Sequence, residues 1–182
     1  MIILASQSPR RRELMKLLGV DFRCISSDAE ENADGSLPPE EYVCLLSSQK
    51  AESVSKNNPG ITVIGADTVV VSRGKILGKP ADENEAFQML RALSGKCHQV
   101  YTGVCITNGK KKKTFFEKTD VYFLEISDEE IKEYIKTGEP MDKAGAYGIQ
   151  GKACVFIEKI HGDYFNVVGF PLSRISRELK NF

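Results

Sequence analysis

Asp67 stands in a setting that is costly for a carboxylate. Val63-Ile64-Gly65-Ala66 precede it and Thr68-Val69-Val70-Val71 follow it, so an unpaired charge buried there would lose its water with nothing in return. At the end of a strand and facing a cleft, the same group meets Mg²⁺, which prefers carboxylates, water and phosphate oxygens. The plainer account is an Asp held in a turn or an ion pair. Arg10, Arg11 and Arg12 come directly after Ser8-Pro9, where the free amides of a helix start receive phosphate oxygens and a guanidinium adds a two-pronged clamp. Three successive helical residues fan over roughly 200°, so one or two of them face a ligand and another pairs with a carboxylate, unless the trio simply keeps a first turn solvated.

Two further segments belong to the same chemistry. Lys79 lies in Leu77-Gly78-Lys79-Pro80, where glycine permits close approach and proline restricts the chain. A lysine held there reaches phosphate with little reorganisation, or is an ordinary surface lysine. Asp142-Lys143-Ala144-Gly145-Ala146-Tyr147-Gly148-Ile149-Gln150-Gly151 reads as a close-lying loop whose Tyr147 and Gln150 stack on or hydrogen-bond to a base, against the plain reading of a glycine turn. No G-x-x-x-x-G-K-S/T loop and no G-x-G-x-x-G fingerprint occurs, so ATP-driven phosphotransfer and nicotinamide redox chemistry lose their usual support. A G-x-S-x-G elbow is missing as well. His98 and His161 lack H-E-x-x-H spacing and read as hydrogen-bonding residues of core or surface. Cys97 beside His98 is no catalytic pair on adjacency alone.

The elements that must position these groups alternate along the chain. A strand at Met1–Ala5 gives way to a helix capped by Ser8 and opened by Pro9, with Leu14, Leu17 and Leu18 as its apolar face. Ser26 to Ser36 is a polar, carboxylate-rich loop. Pro38-Pro39 then introduce a helix carrying Tyr42, Val43, Leu46 and Val54, with Lys50 within it. Ile61–Val71 is the strongest central strand, and a turn at Ser72–Lys75 leads into Ile76-Leu77. Asp82 and Glu85 have capping-box spacing before a helix through Leu93, as do Ser127 and Glu130 before a helix ending at Gly138. Between these two helices, a hairpin with one strand near Val100–Thr107 turns at Asn108-Gly109 and returns through Val121-Tyr122-Phe123. A strand around Cys154–Ile157 and a final helix after Pro171 complete the series. The alternation indicates mixed α/β architecture in a chain whose 182 residues and 41% apolar content suit one domain over residues 1–182.

Twenty-five basic side chains balance twenty-five acidic ones, so there is no bulk positive field to gather nucleic acid, and no stable nucleic-acid partner is expected. Lys110–Lys113 reads as a solvated edge, since no aromatic residue interleaves with it. No apolar run approaches the roughly 20 residues needed to cross a bilayer, and the N-terminus is strand-like rather than a signal peptide. A cytoplasmic protein with no membrane partner is expected. The five cysteines, at 24, 44, 97, 105 and 154, are scattered and odd in number, which fits reduced thiols, several of them buried, better than disulfides or zinc.

In this order the words resemble the Maf family of nucleoside triphosphate pyrophosphatases across almost the whole chain. The resemblance is carried by Ala5-Ser6-Gln7-Ser8-Pro9-Arg10-Arg11, Gly65-Ala66-Asp67-Thr68-Val69-Val70, Leu77-Gly78-Lys79-Pro80, Leu93-Ser94-Gly95-Lys96, the Asp142–Gly151 segment, and Asn166-Val167-Val168-Gly169-Phe170-Pro171-Leu172. It implies an elongated mixed-sheet α/β fold with two integrally folded lobes around a nucleotide-binding cleft. It also implies hydrolysis of a nucleoside triphosphate to the monophosphate and pyrophosphate, with Mg²⁺ or Mn²⁺, by an enzyme that is often a homodimer.

The family's catalytic carboxylate falls on Asp67, and its polar cleft positions fall on Ser8, Arg11, Glu31, Lys50 and Lys79. Asp67 and Glu31 are thereby the expected metal ligands. Specificity-associated positions fall on Arg11, Thr68 and Gln150, which is similar to the branch acting on dTTP and UTP. Phe170 stands where leucine is common, and Leu45 where an arginine often occurs. The rival readings are a triphosphatase cutting the terminal phosphate and a nucleotide-sensing or septation-associated module without turnover. The helix start, the Lys79 turn and the Gln150 loop are expected to converge on one pocket.

Overall fold

A computed structural model describes residues 1–29 and 35–182. Glu31 therefore lies outside the described residues. Six α-helices and seven β-strands are described, beginning with β1 (Ile2–Leu4), α1 (Pro9–Leu17), β2 (Phe22–Cys24), α2 (Pro39–Lys56), β3 (Thr62–Ser72), β4 (Lys75–Leu77) and α3 (Glu83–Leu93). They continue with β5 (Cys97–Thr107), β6 (Lys112–Phe123), α4 (Asp128–Ile135), β7 (Ile157–His161), α5 (Tyr164–Val168) and α6 (Leu172–Lys180). Among the described residues the strands form one mixed sheet in the order β2-β1-β3-β5-β6-β7, with β4 paired to β3.

Two compact units share these elements. Residues 1–68, 102–117 and 165–182 make the first, and residues 69–101 and 118–164 make the second, so the boundaries fall inside β3, β5, β6 and α5.

In the first unit β1 runs parallel to β2 on one side and to β3 on the other, with Leu4 opposite both Cys24 and Ile64. The chain thus leaves β1 toward one neighbour and later returns beside it on the opposite side. Such a reversal at the carboxyl end of parallel strands opens a crevice where α/β proteins bind ligands. The segment after β1 is Ala5–Ser8, which starts α1. On β3, residues past Ile64 extend beyond the β1 pairing.

Helix α2 crosses this part of the sheet closely. A Cβ on Gly65 would lie 2.4 Å from Ser47 O, and one on Gly103 would lie 2.3 Å from Val43 O. Only glycine admits a helix backbone at that distance. The contact lets Ala51 and Val54 of α2 pack with Ile3, Ala5, Val63 and Cys105 in one cluster, each large aliphatic side chain contributing about 1.5–3 kcal/mol of burial.

The second unit is built on the outer parts of the long strands. Val70 to Ser72 pairs antiparallel with β4, and β6 pairs antiparallel with β7. Ser127 caps α4 in a complete capping box with Glu130. Asp82 accepts from Glu85 N, while the Glu85 carboxylate takes Ala81 N in place of the cap's own amide.

Three sequence expectations change. Leu17 is exposed and Met15 buried, because Leu14, Met15 and Leu18 centre on one stripe of α1 and Leu17 points roughly 100° away from it. The strand expected at Cys154–Ile157 is instead a 3₁₀ turn over Lys152–Phe156, with β7 starting at Ile157. There Lys152 N donates to Glu139 Oε2 at 3.0 Å, and Phe156 packs edge-on to Tyr134 with ring centroids 5.5 Å apart. A short apolar run reads alike as strand or turn, and these contacts decide it. All five cysteines are free, but only Cys105 is buried, while Cys97 and Cys154 are exposed.

Candidate active site

Asp67 lies within β3 and not at its end. Its carboxylate is nearly enclosed, with 12% of the side chain exposed, and Lys50 Nζ of α2 donates to Oδ1 at 2.6 Å. The close seating of α2 on Gly65 brings the lysine into reach. Pairing is what makes burial tolerable, since removing one partner of a buried ion pair costs about 3–5 kcal/mol. The next residue, Thr68, carries a second polar connection into the same unit.

Arg11 is held from three sides. Its Nε donates to Gly169 O at 2.9 Å, Nη2 donates to Thr68 Oγ1 at 3.0 Å, and Nη1 reaches Ser6 Oγ at 3.5 Å. Gly169 has φ +109°, and a Cβ there would stand 3.1 Å from Thr68 Oγ1 and 3.8 Å from Arg11 Nε. Glycine suits the backbone conformation, and a Cβ would crowd Thr68 Oγ1 rather than the guanidinium. Thr68 Oγ1 lies 2.9 Å from Thr102 Oγ1, whose hydroxyl donates to Asn166 O at 3.0 Å. Ser8 caps α1, accepting from Arg11 N at 3.5 Å, and Ser8 N donates to Ser6 Oγ.

Thus Ser8, Arg11, Lys50, Asp67 and Thr68 all belong to the first unit, in two joined sets at the carboxyl side of β1. Sequence reasoning missed Ser6, Thr102 and the Gly169 carbonyl. The first and last lie inside the quoted words Ala5–Arg11 and Asn166–Leu172. Thr102 carried no such signal, because a threonine in an apolar strand is also an ordinary core residue.

Lys79 and Gln150 belong to the second unit, and both are exposed. Their segments are joined, since Gly145 N donates to Gly78 O at 2.9 Å. Tyr147 does not serve as an open stacking surface. It is buried, its hydroxyl lies 2.7 Å from His98 Nε2, and its ring meets Phe123 edge-on at 4.8 Å. Burial pushes the Tyr147 hydroxyl's pKa far up and lowers that of His98 to about 4, so both stay neutral in the core. The Lys111–Lys113 side chains are engaged: Lys111 with the Asn181 and Phe182 carbonyls, Lys112 with Glu52 at 2.6 Å and Lys113 with Glu178 at 3.6 Å.

Among the described residues no three His, Cys, Asp or Glu side chains gather as a metal cluster. Magnesium does not require one, because it is usually held by one or two carboxylates together with substrate phosphates and water. Asp67, a single carboxylate with one oxygen on Lys50, fits that donor chemistry. No helix among the described residues is long and apolar enough to cross a membrane.

Among solved structures, the Staphylococcus aureus Ham1 protein is similar in fold, with a TM-score of 0.59 over 99% of this chain and 98% of that one, at 13% identity. Sequence similarity is far closer elsewhere. A dTTP/UTP pyrophosphatase of Bacillus thuringiensis subsp. konkukian is 52% identical over 181 residues, covering 100% of this chain and 95% of the relative. One of Bacillus cereus is 53% identical with the same coverage. The family profile described as "Maf-like protein" matches residues 1–182, and with these full-length relatives it establishes that the chain belongs to the Maf family.

Proposed function

We infer that this chain hydrolyses dTTP and UTP to the nucleoside monophosphate and pyrophosphate. The observation that carries the reading is identity above one half, along the whole chain, to enzymes named for that activity. The enclosed Asp67–Lys50 pair gives it a chemical centre.

In this reading water attacks the α-phosphorus, the bond from that phosphorus to the α,β-bridging oxygen breaks, and pyrophosphate departs with the electron pair. Asp67 orients the water and accepts its proton. Lys50 fixes the carboxylate's orientation, and with Lys79 and Arg11 it offsets charge on the triphosphate and the departing pyrophosphate. Ser8 and the first amides of α1 fix oxygen positions. A divalent cation, Mg²⁺ or Mn²⁺, would be held by Asp67 and Glu31 and would supply phosphate neutralisation and a more acidic water. Arg11, Thr68 and Gln150 are assigned to base selection, with the Gln150 amide both donating to and accepting from a uracil or thymine edge. Family resemblance further supports a homodimer and a cytoplasmic place of action; solution mass measurement tests the first.

The deciding experiment is turnover of UTP, dTTP and GTP with and without Mg²⁺ or Mn²⁺, with products resolved. UMP and pyrophosphate, formed only with metal and faster from UTP than from GTP, are expected. Orthophosphate as the first product from UTP would overturn the reading in favour of terminal cleavage. Tight binding without turnover would leave a sensing module, and equal efficiency for UTP and GTP would remove the base assignment alone.

A further inference from the structure

The hydroxyl protons of Thr68 and Thr102, beside Arg11, have only one consistent arrangement. A threonine hydroxyl has one proton to give and two lone pairs to receive. Thr102 gives its proton to the Asn166 carbonyl at 3.0 Å, so in the 2.9 Å contact with Thr68 it can only accept. Thr68 must therefore give its own proton to Thr102, and its oxygen receives Arg11 Nη2 at 3.0 Å. The chain runs one way, from guanidinium to Thr68 to Thr102 to the backbone carbonyl of α5. Thr102 is fully buried, while Arg11 and Thr68 are partly exposed.

We propose that Thr102 is a positioning residue for nucleotide selection, acting through Thr68 on Arg11. By taking the Thr68 proton it fixes that hydroxyl's torsion, so Thr68 presents a lone pair to the guanidinium and no donor to a nucleotide. Together with Gly169 O on Nε, the acceptor from Thr68 holds the plane of the Arg11 guanidinium. Without Thr102 the Thr68 hydroxyl turns freely and the guanidinium loses a short anchor. The inference rests on the assignment of Arg11 and Thr68 to base selection.

The test compares Thr102→Val, which keeps the shape and loses the hydroxyl, with Thr102→Ser, which keeps it. The control is Thr119→Val. Thr119 is an equally buried threonine of the second unit that exchanges hydrogen bonds with Asp163, donating to its carbonyl at 3.0 Å. Thr102→Val should lower the ratio of kcat/KM for UTP over GTP by at least about tenfold, the scale of a misplaced or unpaired polar group in a site. Most of the loss should appear as a higher KM for UTP, with matching weaker binding of α,β-methylene-UTP. Thr102→Ser should restore the ratio to within about twofold of wild type, and Thr119→Val should leave it unchanged.

An unchanged ratio in folded Thr102→Val, or the same loss in Thr119→Val, would overturn the proposal. If Thr102→Val does not fold, Thr102→Cys, with its weak donor and acceptor, must fall between the serine variant and a full loss, and a wild-type ratio there overturns it equally. A wild-type enzyme that treats UTP and GTP alike is a different failure: it removes the base assignment and this inference with it, before any variant is made.

Discussion

In the first unit the polar groups of the candidate site donate along two short paths: Lys50 to Asp67, and Arg11 through Thr68 and Thr102 to the Asn166 carbonyl. In the second unit His98 is fully buried, and its imidazole meets Tyr147 through Nε2 while Nδ1 has no partner among the described residues. Around it are rings, with Phe123 edge-on at 4.9 Å. The first arrangement keeps formal charges in place, as the proposed handling of phosphate and metal requires. The second discards charge, because burial holds the imidazole neutral. Buried polarity alone therefore does not mark a site. What distinguishes the proposed site is charge retained by pairing, at the carboxyl side of a strand reversal.

Asp67→Asn tests that contrast most severely. The amide oxygen still accepts from Lys50, so the variant should fold, but it carries no charge for a metal and no basic oxygen for a proton. UTP cleavage at saturating substrate and metal should fall at least about 100-fold. Steady-state kinetics beside thermal unfolding checks this, and a folded variant turning over near the wild-type rate would make Asp67 another buried polar core residue.

How far the chain's letters disclosed this follows the same division. Asp67 was legible because a carboxylate inside an apolar strand demands a partner, and Lys50 was legible through the family resemblance. Their contact was not, since it depends on Gly65 and Gly103 letting α2 sit against the sheet, and a glycine in a strand does not say what approaches it. The strand alternation, both capping signals and the Asn108-Gly109 turn could be read locally. The 3₁₀ turn at Lys152–Phe156 depends on Glu139, thirteen residues away, and had no local signature. Tyr147 misled because an aromatic in a glycine-rich loop suits base stacking, whereas here it closes the core around His98.

A stability titration probes the second cluster next. His98 in the folded chain has its pKa lowered to about 4 from the usual 6.5, so protons favour the unfolded state. Stability from this residue is fully present above about pH 6.5, declines as pH falls, and stops changing below about 4. Between pH 8 and pH 5 the loss should be about 2 kcal/mol, measured by denaturant unfolding at each pH. His98→Phe should flatten the slope between pH 6.5 and 5, above where carboxylates ordinarily titrate. A slope that persists in that variant would assign the effect to another group.

Lys79→Ala sharpens the comparison from the exposed side. Lys79 is not buried in either sense, so its loss should cost little stability. Its assigned work is on phosphate charge, and the expected result is a KM for UTP raised about tenfold with a smaller fall in kcat, the loss of one charge-assisted contact. An unchanged KM would make it an ordinary surface lysine.

Tyr147→Phe has the smallest expected effect on catalysis and separates the two clusters most directly. The ring and its edge-on contacts with His98 and Phe123 remain, so packing is kept and only the hydroxyl is lost. His98 Nε2 then has no partner in a site closed to water, which should cost about 1–3 kcal/mol, at the low end if the imidazole can turn its unpaired nitrogen elsewhere. Because the hydroxyl points to His98 and not to solvent, kcat/KM for UTP should stay within about twofold of wild type when measured well below the variant's Tm. Unfolding and kinetics on the same preparation decide between core and site. A variant of full stability with collapsed UTP selectivity would show Tyr147 meeting the base after all, and would move the second unit's buried cluster from the core into the active site.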